Sequence, residues 1–203
     1  GYTYSPSGAL AAGNKTITIS YSEGGVTKTT TQAITVTTIS TTLNSNSWAT
    51  IKAVSDAGQG DNYWDVGDTK TITINGTVQG FTFSNLSIAV FILGFNHNSS
   101  REGSNRIHFQ IGKISSKLVG LCDNSYGSYV SSGFCMNTSR TNSGGWNGSY
   151  MRKTVLGNSG TPTSPPANSL LAALPSDLRA VMKPITKYSD NTGGGSNTAS
   201  YVT

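Results

Sequence analysis

The chain has 203 residues, 35% of them hydrophobic and only 11% charged, with 24 glycines and a formal net charge of +5. Its length holds one large domain or a small one followed by a larger one. Its poverty in charged helix formers excludes a long-helix protein and favours a β-rich or loop-rich chain of extracellular or virion type. The 14 Lys and Arg are dispersed without any block of like charge, which argues against specific nucleic-acid recognition. The longest apolar run, Ile88-Ala-Val-Phe-Ile-Leu-Gly-Phe95, falls far below the ~20 residues of a membrane-spanning helix. No basic region followed by an apolar core opens the chain, so no secretion signal is expected.

Residues 15–21 alternate polar and apolar side chains, Glu23-Gly-Gly-Val26 turns the chain, and 28–36 runs extended again. That pattern predicts a hairpin, because a Gly-Gly pair takes positive φ without strain. Two strands with unpaired edges need cover from elsewhere, so 1–37 reads as an incomplete β segment. The Thr-, Ser- and Asn-rich stretch 38–46 reads as a linker.

From Ser47, an N-cap residue, Trp48, Ile51 and Val54 recur at helical spacing and Gly58 supplies a stop, which predicts a helix over 48–57. Residues 69–74 alternate as a strand, Asn75-Gly76 predicts a type I′ turn, and 77–83 returns. The apolar run 86–95 is then the central strand, with 106–111 beside it. A helix is expected over 146–156, broken by the Gly- and Pro-containing stretch 157–166. Asn168 or Ser169 caps a short helix over 170–174, and Pro175-Ser-Asp-Leu178 opens another turn. Residues 181–188 read as extended, with Pro184 favouring an edge, and 191–203 as a flexible tail.

Cys122 and Cys135 flank twelve residues rich in Gly and Ser. They are either two thiols or a disulfide, which would stabilise the fold by about 3 kcal/mol. Two histidines and two distant sulfurs make a metal site the least supported use. Asp56, Asp61, Asp65 and Asp68 are the one local concentration of acids. Calcium is the cation they would suit, but their spacing does not match a helix–loop–helix calcium loop, and Asp68 reads more simply as a turn former after Gly67. His97 and His108 flank one another on adjacent strands at most as a pair, without the third ligand of a catalytic zinc. No Gly-x-Ser-x-Gly elbow is present. Catalytic residues, a cofactor and a metal are therefore not expected.

The aromatics point to contact. Trp64, Tyr126, Tyr129, Trp146 and Tyr150 offer faces that stack on sugar rings or anchor a protein, and Arg152 or Arg140 adds hydrogen bonds to a carboxylate. Trp48 and Trp146 also suit apolar helix faces. The Tyr- and Ser-rich loop 124–133 is the first choice for contact. The ten basic and four acidic residues of 101–203, against four and five in 1–100, read as a solvated basic face.

Taken in order, Trp48…Ile51…Gly58, Tyr63-Trp-Asp-Val-Gly-Asp68, Gly94-Phe-Asn-His97, Gly144-Gly-Trp-Asn-Gly-Ser-Tyr-Met-Arg152 and Leu174-Pro175…Ile185-Thr-Lys187 resemble an uncharacterised domain family of prophage, phage-virion and Gram-positive surface proteins. The resemblance covers 47–190. The family's Asn-His-Asp stands here as Asn96-His97-Asn98, which weakens any metal or acid–base role there. The segment 1–37 resembles the last strands of a bacterial immunoglobulin-like domain. In the family that 47–190 resembles, the chain usually runs on into a further strand, so its stop at Thr203 suggests a truncated chain. The resemblance implies an α+β fold, rich in antiparallel sheet with short helices and C-type-lectin-like, preceded by a partial immunoglobulin-like segment. It implies a structural or adhesive module of a phage tail, fibre or capsid surface, homo-oligomeric or bound to other virion proteins, with host-surface glycan as a secondary partner. A secreted bacterial surface module and a glycan-active hydrolase with its acids near 56–68 are the alternatives.

Overall fold

A computed structural model of the chain describes the backbone over residues 1–8, 10–114, 117–118, 122–126, 134–190 and 197–202, and side-chain surroundings over 1–8, 10–113 and 135–185. The chain divides into two compact units, Gly1–Ser40 and Thr41–Thr203.

The first unit is an antiparallel sheet of β1 (Tyr2–Ser5), β2 (Gly13–Glu23) and β3 (Val26–Val36), in that order. Gly24 and Gly25 form the expected turn at φ 56° and 80°, the doubly positive geometry that matches strand twist. β1 was not expected, because four residues are too few to show a period. It pairs Tyr2 with Tyr21 and Tyr4 with Ile19. Ile17, Ile19 and Tyr21 stand opposite Gln32, Thr30 and Lys28, so the period of two gathers Tyr2, Tyr4, Ile17, Ile19 and Tyr21 on one face. The reverse face is mainly Thr and Ser, with Asn14 and Ala33.

The second unit is an α+β domain of antiparallel sheet and short helices. α1 (Trp48–Asp56) starts where the Ser47 side chain accepts the Thr50 N–H at 3.1 Å. It ends in a Schellman pattern: Gly58 at φ 68° donates to Ser55 O and Gln59 to Val54 O. Trp48, Ile51 and Val54 are buried as the spacing predicts.

The main sheet has the order β4 (Thr69–Val78), β5 (Phe81–Phe95), β6 (Ile107–Ile114), β7 (Lys117–Leu118). β5 is central, as its apolar run implies. Ile72, Ile74, Val78, Ile88, Val90 and Ile92 are all buried, whereas Thr69, Thr71 and Thr73 are exposed. Trp48 meets Phe109 edge-on at 5.5 Å, which seats α1 on the apolar face.

The turn expected at Asn75-Gly76 lies elsewhere. There the strand carries a bulge, with Gly76 at φ 120° and Asn75 Oδ1 accepting Asn85 N–H at 2.7 Å. The chain reverses at Gln79 (φ 48°) and Gly80 (φ 90°). A reversal at 75–76 would cut Val78, fully buried, out of the strand that places it.

Past α2 (Ser99–Glu102), β8 (Cys122–Tyr126) and β9 (Phe134–Asn137) form a parallel pair. The helix expected over 146–156 is interrupted. α3 (Gly145–Gly148) stops at Ser149, whose backbone is extended, and a π-type turn over Met151–Val155 follows. Ser149 Oγ donates to Trp146 O at 2.8 Å and accepts Arg152 N–H at 3.1 Å, so the serine closes one turn and caps the next. α4 (Leu170–Ala173) is capped by Ser169, one of the two expected caps, and α5 (Ser176–Arg179) follows Pro175. β10 (Ile185–Asp190) pairs antiparallel with β11 (Asn197–Val202), so the expected flexible tail contains a strand. Of the expected linker, Leu43 and Asn46 are buried in the second unit. Lys70 Nζ donates to Asn46 O at 2.6 Å. Among the described residues no helix is long and apolar enough to cross a membrane.

Ile92 is fully buried in the central strand, while its neighbour Leu93 lies in a bulge and is 42% exposed. Ile92→Ala is expected to lower the unfolding free energy by about 2–5 kcal/mol, and Leu93→Ala by less than about 2 kcal/mol, measured by urea denaturation.

Candidate functional site

Of the six residues expected to form a contact surface, Trp64, Tyr150 and Arg152 make contacts within the fold. Trp64 is 2% exposed. The Tyr63-Trp-Asp-Val-Gly-Asp68 stretch docks along β5, with Gly67 N–H donating to Ile92 O at 2.8 Å and Ile92 N–H to Asp68 O at 3.0 Å. Its tryptophan is thereby turned into the core. Arg152 is buried, and its Nη1 donates to Asn147 O at 3.1 Å; burial holds its pKa below the usual guanidinium value. Tyr150 is partly buried and donates from its hydroxyl to Gln79 Oε1 at 2.6 Å. Trp146 is partly exposed and Arg140 exposed. Tyr126 lies in β8 with its side chain outside the described residues, and Tyr129 lies outside them altogether, as does most of the loop 124–133. Cys135 is fully buried, and the Cys122 side chain lies outside the described residues.

The clustered aspartates separate into unlike roles. Asp56 accepts from both Lys52 and Lys183, and those hydrogen bonds, Lys183's first, hold its carboxyl below the usual range. Asp68 Oδ2 accepts Asp65 N–H at 3.0 Å, the turn-forming role its place after Gly67 suggests. Asp61 is exposed. Among the described residues no group of three or more His, Cys, Asp or Glu is placed to hold a metal ion.

Of the basic residues of 101–203, Arg101, Arg140 and Lys153 are exposed, whereas others turn to the chain's own carbonyls. Arg179 donates to Pro162 O at 2.6 Å and Leu174 O at 3.2 Å, and Arg152 and Lys183 likewise serve backbone carbonyls. A loop-rich chain leaves many carbonyls outside ladders, and long cationic donors satisfy them.

Two features remain available for contact. The first, on the first unit, is the Tyr- and Ile-bearing face of the three-stranded sheet. Tyr2 is 77% and Tyr4 65% exposed, and no described residue of this unit is buried.

The second, within the second unit, is a cavity of about 350 Å³ between α1, β6 and the segment 174–185. One wall is the α1 stripe Trp48, Ile51, Lys52, Ser55, successive positions of one helix face. Ser55 Oγ donates to Asn105 O at 2.9 Å, and Lys183 Nζ donates to the same carbonyl at 2.8 Å. Arg106 and His108 line the cavity from the start of β6. His97 and His108, expected on adjacent strands, stack with ring centroids 5.2 Å apart, and His97 lies directly over Gly94. His108 Nδ1 faces Glu102 Oε2 at 3.6 Å, both side chains being at least nine-tenths buried. Sequence reasoning missed this cavity, because its walls come from segments about fifty and seventy-five residues apart.

No family model, curated protein or solved structure matches the chain.

Removing the Tyr150 hydroxyl strands Gln79 Oε1, so Tyr150→Phe is expected to cost about 1 kcal/mol in chemical denaturation. Asp56 has a lowered folded pKa, so its contribution is present above the usual carboxylate range and is lost as pH falls through the folded value. Asp56→Asn is therefore expected to be less stable than the parent at neutral pH by no more than about 1 kcal/mol, as befits an exposed ion pair. The gap should close as thermal melts are taken to acid pH.

Proposed function

We propose that the chain is a structural and adhesive module of a multi-chain surface assembly, of the phage tail, fibre or capsid-surface kind that its motif order resembles. It acts in assembly and in attachment to a host surface. The observation that carries this reading is the first unit: three strands, no buried residue among those described, and a face of Tyr2, Tyr4, Ile19 and Tyr21 left to solvent. An isolated sheet of this size is marginal unless its apolar face packs against something. Open edges at β1 and β3 supply unpaired backbone groups for a neighbour. A second copy or a neighbouring chain completes the core, which is also what a partial immunoglobulin-like segment requires.

The C-type-lectin-like reading of 47–190 rests on short helices set around an antiparallel sheet. The partly exposed Trp146 is the remaining described aromatic of the expected glycan-contact set, and glycan contact is secondary to assembly. A bacterial surface module would use the same sheet face. The separated aspartates give the hydrolase reading less support.

Sedimentation of the full chain across a concentration series is expected to show association that Tyr4→Lys with Ile19→Lys weakens by about tenfold or more, the cost of burying charge in an apolar contact. Circular dichroism should show the second unit unchanged. A parent chain that stays monomeric at the highest concentration, with its first sheet intact, sinks the reading.

A further inference from the structure

We infer that the cavity beside α1 binds a small amphiphilic carboxylate, head at the Arg106 end and apolar body against Trp48.

The cavity is polarised along the helix. At the C-terminal end of α1, Ser55 bonds to Asn105, and Lys183 reaches the same carbonyl, which gathers Lys52, Arg106 and Lys183 at that end. At the N-terminal end Trp48 meets Phe109, with Ile111 following along β6. Trp48 and Ser55 are seven residues apart, a rise of about 10 Å. The volume, about 350 Å³, falls at the lower end of the range of small-molecule sites.

Charge selects the occupant. Among the described residues three cations, Lys52, Arg106 and Lys183, line the cavity and no carboxylate does. Asp56 already serves Lys52 and Lys183, and Glu102 faces His108. Arg106 is left over: its Nε and Nη1 are buried with no hydrogen-bond partner among the described residues. Gly103 holds the guanidinium in place, since a Cβ there would stand 2.9 Å from its Nε and Nη2. Arg106 is half-buried; buried donors without an acceptor are costly, and with Nε and Nη2 set against Gly103 it is the end-on Nη1–Nη2 pair that matches a carboxylate. Arg152 and Arg179 each reach a backbone carbonyl, whereas the Arg106 Nε and Nη1 reach no acceptor among the described residues. A neutral apolar ligand would leave those donors unanswered, and a bare anion would leave the Trp48 end unfilled.

The test is isothermal titration of the full chain with octanoate, 1-octanol and acetate, alongside amide and indole shifts in NMR. Octanoate is expected to bind at least about tenfold more tightly than either of the others, the difference a charge-assisted hydrogen bond makes. Shifts should centre on Trp48, Ile51 and Arg106. Arg106→Gln should lose about tenfold or more, whereas Lys113→Gln should bind as the parent does. Lys113 carries the same charge but sits over Phe91, away from the cavity lining. Leu178→Trp, which fills the apolar part and keeps Arg106, should also abolish binding, and it decides the matter if Arg106→Gln fails to fold. Equal affinity for octanol or for acetate, no binding at all because another segment of the chain occupies the cavity, or equal loss in Lys113→Gln would each overturn the proposal.

Discussion

Gln79 at the tip of the β4–β5 hairpin is held from two directions. Its backbone N–H and its side-chain amide both donate to Asn168 O, at 3.1 and 2.7 Å, and its Oε1 accepts from Tyr150 at 2.6 Å. This clamp fixes where the chain reverses, and a hairpin's reversal fixes its register. A slip of one residue would carry Ile72, Ile74 and Val78 to the solvent face, now occupied by threonines, and leave α1 and α4 with nothing apolar to rest on. The clamp also explains a left-handed glutamine: two side-chain hydrogen bonds and one backbone bond offset a strain of about 1–3 kcal/mol. Residues 150 and 168 are far from 79 in sequence, so the feature that sets the register of the sheet is invisible from the strands themselves.

That dependence separates what the sequence reveals from what it hides. Periodicity and local chemistry suffice for α1, with Ser47 and Gly58 at its ends, for the β2–β3 hairpin with its Gly-Gly turn, for the central strand, and for the Ser169 cap. They mislead at Asn75-Gly76, where the strongest local turn signal yields to the burial of Val78. A dipeptide that favours positive φ makes a bulge as readily as a turn. They mislead again at Ser149, because a serine inside an apolar period weakens a helix little on any propensity scale yet ends one when both its hydrogen bonds are local. β1 and β11 each gain their strand from a partner rather than from their own pattern.

The site was less legible than the fold, for a physical reason. Glycines beside aromatics mark places where the backbone bends sharply and a large side chain must be placed, and both a core and a surface make that demand. Gly144 and Gly145 take positive φ, and a Cβ at Gly144 would crowd Gly148 Cα at 3.2 Å. The run therefore serves close packing, and its Arg152 turns inward to a carbonyl. The same ambiguity sends Trp64 into the core. Composition alone cannot distinguish these outcomes, because it does not say which carbonyls a loop leaves unsatisfied.

The two units spend their apolar surface in opposite ways. In the second, aliphatic side chains of the sheet are buried together with Trp48, Met151, Val155 and Leu171, and such close packing stabilises the unit from within. In the first, Tyr and Ile alternate just as regularly with Thr, yet the face they make meets no second layer within that unit. Regular alternation is a signal that a face is meant to be covered, since a strand needed only as a spacer gains nothing from sorting its side chains. The threonine-rich reverse face keeps strand propensity high without adding apolar area, so the apolar side chains of the sheet are gathered on its other side. A core closed within one unit and a sorted face left uncovered in the other is the contrast on which the proposed assembly role rests.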